Sequence, residues 1–115
     1  MSFAQKAWKQ TRRPQNKFNA QRVVTTDGTF DSKAEHYRWC QLKLLERAGE
    51  IRNLKRQVRF KFEHNGVHIA DYIADFTYFE GNEYVAEDKK GYETDVFRLK
   101  AKMLKAFYGI TVRIT

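Results

Sequence analysis

Two carboxylates and a lysine are spaced so that they could do chemistry together. Asp75 sits in Tyr72-Ile73-Ala74-Asp75-Phe76-Thr77-Tyr78-Phe79, a run otherwise suited to burial. A buried charge is expensive unless it meets a partner or a metal. The next apolar run reads Tyr84-Val85-Ala86-Glu87-Asp88-Lys89-Lys90-Gly91. Side chains alternate along a strand, so Asp88 and Lys90 share one face and Glu87 and Lys89 the other. If the two strands are hairpin neighbours, Asp75 and Asp88 meet at one edge of a sheet. Such a set suits phosphodiester hydrolysis. Carboxylate oxygens suit Mg²⁺, which keeps waters for a substrate phosphate. The metal polarises the phosphate and lowers the pKa of a bound water. A nearby lysine can orient that water or stabilise developing charge. Glu35, at the start of a predicted helix, can supply a third carboxylate.

Each of these residues also has a plain structural reading. Glu35 follows Ser32 by three residues and fits a capping box. Asp88 with Lys90 could be a surface ion pair, which alone proves little. Glu87-x-Lys89 is a second acid-x-Lys frame, shifted by one residue. Asp71 shares parity with Asp75 and is a candidate satellite acid. Gln57 opens the first strand of the run and could touch the site, its substrate, or only a structural partner. The specific feature is the full order: helix Glu, strand Asp, turn, strand Asp-x-Lys-Gly, then a basic helix.

The elements that must position these residues are legible. Arg22 to Phe30 reads as a short hairpin turning at Asp27-Gly28. A helix follows from Asp31 or Ser32 to about Ala48, stopped by Gly49. Its expected stripe is Tyr37, Cys40, Leu44 and Ala48, widened by Trp39, Leu42 and Leu45. Val58, Phe60 and Phe62 alternate with charged residues in a first strand. Val67 to Phe79 is a second strand and Glu83 to Lys90 a third. Thr94 caps a second helix with Val96, Leu99, Met103 and Phe107 on one face, closed by Gly109. Ile110, Val112 and Ile114 mark a last strand. The order α-β-β-β-α-β predicts a mixed four-stranded α/β sheet flanked by helices.

Composition sets the class of partner. The chain has 115 residues and a formal net charge of +8, which favours a polyanion. Residues 1–22 hold six cations, Lys6, Lys9, Arg12, Arg13, Lys17 and Arg22, and no acid, interleaved with Phe3, Trp8 and Phe18. They read as a basic arm. The second helix displays Arg98, Lys100, Lys102 and Lys105. Cations of the arm and of this helix are candidates for phosphate contacts. The single cysteine, Cys40, excludes an internal disulfide or a multi-cysteine zinc site. No apolar run suits a membrane span, and residues 1–10 lack the apolar core of a secretory leader, so a cytosolic protein is expected.

This motif order resembles the restriction-endonuclease-like, PD-(D/E)XK, superfamily. More closely, Lys17 to Ile110, about four-fifths of the chain, is similar to a family of small phage and prophage proteins. The carrying features are Asp27-Gly28, Phe30-Asp31-Ser32-Lys33 with Glu35, Gly49-Glu50-Ile51 with Leu54 and Gln57, Tyr72-Ile73-Ala74-Asp75-Phe76, Glu87-Asp88-x-Lys90-Gly91, and Tyr108-Gly109-Ile110. The order of the site residues is also similar to that of phage junction-resolving endonucleases. With residues 1–22 read as the basic arm, the resemblance implies a nuclease domain over 23–115. It implies a Mg²⁺-dependent endodeoxyribonuclease, with Mn²⁺ expected to substitute. Asp75 and Asp88 would hold the metal, helped by the Lys89 carbonyl. Lys90 would position the attacking water. Glu35 would bind a second metal or a water on it. Ala74 replaces the proline of the superfamily name, which carries no chemistry. The family's lysine directly precedes the glycine, which favours the Asp88/Lys90 frame over Glu87/Lys89.

DNA is the expected partner, contacted by Arg12, Arg13, Lys17, Arg22, Lys100 and Lys102, in the cytoplasm of a bacterial host. Branched or junction DNA is the expected substrate, because no base-reading motif is visible. Such enzymes often act as homodimers, and Phe3, Trp8 and Phe18 are candidates for exchange between copies. The competing readings are a non-catalytic DNA-binding accessory or inhibitor protein, and an interaction protein whose charge serves only solubility.

Overall fold

Local signals fix most element ends. A computed structural model of the chain describes residues 21–115. The expected arm, apart from Gln21 and Arg22, lies outside the described residues. They fall into two units, one ending at Tyr37 and the other running from Arg38 to Thr115.

In the first unit, β1 (Val23–Thr25) and β2 (Gly28–Phe30) form an antiparallel hairpin. Thr25 pairs with Gly28, so Thr26-Asp27 is the two-residue loop and the expected Asp27-Gly28 tip moves back by one residue. Gly28 alone takes positive φ there, at 119°. The Thr25 hydroxyl accepts from the Asp27 amide at 3.0 Å and donates to the Gly28 carbonyl at 3.3 Å. Helix α1 (Lys33–Arg47) begins in this unit. The Ser32 hydroxyl accepts from the Glu35 amide at 3.1 Å, an N-cap bond.

In the second unit, α1 ends at Gly49 (φ 82°), with the Glu50 amide returning to the Leu45 carbonyl at 2.9 Å. That is a glycine-closed helix end. Strand β3 (Arg52–His64) pairs antiparallel with β4 (Val67–Glu80), and β4 with β5 (Glu83–Asp88). Helix α2 (Asp95–Tyr108) then leads to β6 (Val112–Ile114), which lies parallel to β5. The four-stranded sheet is therefore mixed, in the order β3-β4-β5-β6. Thr94 caps α2 by accepting the Phe97 amide at 3.0 Å.

Each helix buries only part of the face expected. On α1, Leu42 is fully buried and Trp39 stacks on Phe76 at 6.0 Å, while Tyr37 and Leu44 stay largely exposed. Arg38 lies on the inner side because it pairs with Glu87. On α2 the buried residues are Phe97 and Leu104, with Ala101 packed beside them; of the expected face Met103 packs on the core and Phe107 meets Phe62 at 5.2 Å, while Val96 and Leu99 are exposed. The helix is turned by one residue because aromatic side chains of β3 and β4, Phe60, Phe62 and Tyr72, take up Phe97 and Leu104. A second cluster joins Leu42, Ile51, Phe76, Tyr78 and Val85. Within β4 the change from one cluster to the other falls at Asp75, between Ala74 and Phe76. Among the described residues no helix is long and apolar enough to cross a membrane.

Candidate active site

Strands β4 and β5 part at the acidic residues. Their ladder runs from Glu80↔Glu83 to Phe76↔Glu87. Beyond it, carboxylates take over from backbone carbonyls. The Asp75 amide donates to Asp88 Oδ1 at 3.1 Å, and the Lys89 amide donates to Asp75 Oδ2 at 3.0 Å. On its other side β5 is held by Thr115. The Thr115 amide donates to the Asp88 carbonyl at 3.0 Å, and the Lys90 amide to the Thr115 carbonyl at 3.4 Å. β5 thus ends two residues before the expected Lys90, with Lys89 bonded to a side chain.

Asp88 is 1% exposed, and its Oδ2 meets no hydrogen-bond partner among the described residues. Burial pushes its carboxyl up to about 6, against the opposing pull of the Lys90 charge and the Asp75 amide. Asp75 is half-buried. Lys90 is half-buried, with its Nζ 4.7 Å from the centre of the Phe97 ring. That is cation–π range.

Gln57 falls between the pairs Arg56↔Phe76 and Val58↔Ala74, which sets it opposite Asp75. Its φ is 55°, a left-handed conformation inside a strand. A non-glycine residue there is strained by about 1–2 kcal/mol, and such strain often gathers at functional sites.

Glu87, one residue from Asp88, has a different environment. Arg38 donates to it twice, from Nε at 2.6 Å and Nη2 at 3.0 Å. The Tyr78 hydroxyl donates at 2.5 Å and the Thr115 hydroxyl at 3.1 Å. Burial alone would raise the Glu87 carboxyl, but these donors outweigh it and hold it below the usual range. Tyr78 is pushed up to about 12, first by burial and then by the Glu87 charge. Glu87 is therefore a satisfied buried anion, whereas Asp88 is not.

A family model described as Protein of unknown function (DUF1064) matches residues 15–114. The chain belongs to that family. Neither the comparison with curated proteins nor that with solved structures found a match.

In this DUF1064 chain the structure brings Asp75, Asp88, Lys89 and Lys90 together. Asp71 stands apart, bonded to Arg59 at 2.7 Å and to His68 at 2.8 Å. Glu35 belongs to the first unit, where it opens α1. Lys100 is half-buried and Lys102 exposed on α2, and Arg22 is exposed. Arg12, Arg13 and Lys17 lie outside the described residues. Sequence reasoning missed Arg38, Tyr78 and Thr115 as the partners of Glu87. Alternation did signal that Glu87 faces away from Asp88, but nothing local marks Arg38.

Among the described residues no group of three or more His, Cys, Asp or Glu side chains is arranged to hold a metal. The two-carboxylate pair still fits Mg²⁺, which commonly uses one or two carboxylates and fills its other positions with water and substrate oxygens. The unpartnered Asp88 Oδ2 is the atom a cation would satisfy.

Proposed function

We propose that the protein is a Mg²⁺-dependent endodeoxyribonuclease on a restriction-endonuclease-like, PD-(D/E)XK core. One observation carries the reading: two carboxylates sit side by side where β4 and β5 diverge, and one buried oxygen of Asp88 lacks a donor. Buried polar atoms are normally paired, so such an atom calls for a specific reason. Asp75 and Asp88 would hold the metal, with Mn²⁺ able to replace Mg²⁺. When bound, the metal would polarise the scissile phosphate and make a water acidic enough to attack.

The chain's own groups do the rest. Lys90 is close enough for its charge to act on Asp88. It orients the attacking water and stabilises charge that builds on the phosphate. The Lys89 amide fixes the Asp75 carboxylate, and the Asp75 amide fixes that of Asp88, so neither swings freely. Arg38, through Glu87, anchors the strand that carries Asp88 and is a positioning residue. The family resemblance also assigns Glu35 to the chemistry, and Glu35→Gln tests that assignment by itself.

The net charge of +8 favours DNA as substrate. Selectivity for branched or junction DNA, a phage origin, action in a bacterial cytoplasm and pairing of two copies follow from the resemblance. A second reading has its own support: both carboxylates already accept backbone amides, as in a purely structural lock. On that reading the protein is a non-catalytic DNA-binding accessory or inhibitor.

The deciding experiment incubates pure protein with labelled duplex, single-stranded and four-way-junction DNA, each with Mg²⁺, Mn²⁺ or EDTA. Metal-dependent cutting that disappears in Lys90→Ala supports the nuclease. Salt-sensitive binding without cutting under every metal condition sinks it in favour of the accessory protein.

A further inference from the structure

An open groove of about 430 Å³ lies beside Lys90. Arg59 and Ile73 line it from the sheet, and Val96, Phe97 and Lys100 from α2. Its chemistry is mixed in a definite way. Three cations, Arg59, Lys90 and Lys100, surround apolar surface that is open to water. Ile73 is 43% exposed and Val96 60% exposed.

The one acid in the lining, Asp71, offsets one of these three charges and leaves the lining with a net positive charge. His68 first, and then Arg59, hold it ionised below the usual carboxylate range, and both donate to it, while Lys90 and Lys100 are not paired with it. Arg59 uses one Nη1 donor on Asp71, and a guanidinium has five N–H donors in all. The wall also contains Tyr72, whose buried hydroxyl meets no hydrogen-bond partner among the described residues.

A surface built only for a duplex backbone needs cations and no exposed Ile or Val between them. Cations around an apolar floor match a nucleotide whose base has left its stack. Phosphates then lie on the cations and the base face on the apolar side chains. The volume falls within the range of small-ligand pockets.

We infer that this groove seats one unpaired nucleotide of the substrate strand, next to the phosphate that Lys90 serves. The inference deepens the nuclease reading and rests on its choice of nucleic acid as partner. It explains selectivity for branched or frayed DNA by chemistry: only such substrates offer an unstacked base without the cost of opening a helix.

The test measures binding, in EDTA, of labelled (dT)6 and of a blunt two-strand duplex of about 12 base pairs. It compares wild type with the double variant Ile73→Ser/Val96→Ser and with Lys100→Ala. Both trimmed side chains are exposed, so the fold should tolerate their loss, and a thermal melt checks it. The groove account expects the double variant to lose about tenfold in (dT)6 affinity, with duplex affinity unchanged. Lys100→Ala should weaken both. Methyl NMR on wild type should show Ile73 and Val96 shifting with (dT)6 more than with the duplex. Equal (dT)6 affinity for double variant and wild type overturns the inference, as does an equal loss on both DNAs. Because metal is absent, failure of the nuclease reading in the cleavage assay leaves this result interpretable.

Discussion

Asp75 and Asp88 hold each other across the diverging ends of β4 and β5. The Asp75 amide donates to Asp88 at 3.1 Å, while the Asp75 carboxylate takes the Lys89 amide at 3.0 Å. The lock fixes both carboxylates within one small region and leaves Asp88 Oδ2 bare. A pair built only for stability would have given that oxygen a donor, as Glu87 has for both of its oxygens, Oε2 from Arg38 and Thr115 and Oε1 from Arg38 and Tyr78.

The bare oxygen makes Asp88 a stability cost at neutral pH. Its carboxyl is raised from an ordinary 3.8 to about 6, so the folded state prefers the protonated form. The cost is absent well below the ordinary value, where both states are protonated. It grows as pH rises from the ordinary 3.8 to about 6 and is complete above that. Asp88→Asn keeps an oxygen for the Asp75 amide and removes the charge. In EDTA at pH 7.5 it should be more stable than wild type by about 2–3 kcal/mol. At about pH 3 the difference should vanish, and Mg²⁺ at pH 7.5 should narrow it by stabilising only wild type. Denaturant melts at the two pH values check this. A less stable Asp88→Asn at pH 7.5 would mean that the carboxylate is structurally satisfied.

The Arg38–Glu87 pair should behave in the opposite way. Arg38→Met strands a fully buried carboxylate with only hydroxyl donors left, and should cost about 3–5 kcal/mol at neutral pH. The native Glu87 carboxyl lies below its ordinary 4.5. The stability it supplies is therefore present above the ordinary value and is lost as pH falls through the native one. An acid titration of unfolding should show wild type losing stability below about pH 4.5, with a flatter response in Glu87→Gln.

Gln57 offers a test confined to the backbone. Gln57→Ala and Gln57→Gly lose the same side chain but differ at φ 55°. The glycine variant should be the more stable of the two by about 1 kcal/mol, measured by chemical denaturation. Equal stabilities would show that β3 relaxes freely opposite Asp75.

What the sequence makes legible here is local. Ser32, Gly49, Thr94 and Gly109 mark helix ends through bonds to near neighbours, and alternation separates Glu87 from Asp88. The strand order follows from short turns and one helical crossover. The face of α2 was only partly legible, because Val96-Leu99-Met103 and Phe97-Ala101-Leu104 are both apolar at helical spacing and only Met103 and Phe107 of the expected face reach the core. Only the aromatic residues of β3 and β4 choose between them. The partner of Glu87 was hidden for a similar reason, since Arg38 lies 49 residues away. The left-handed φ of Gln57 has no signature in a residue that rarely adopts it.

The most direct test of the central claim compares cleavage of the preferred DNA substrate by wild type and Asp88→Asn under single-turnover conditions with Mg²⁺. The account predicts cutting by wild type and a loss of at least ~100-fold in the variant, with the variant folded and more stable. Undiminished cutting by Asp88→Asn would contradict it.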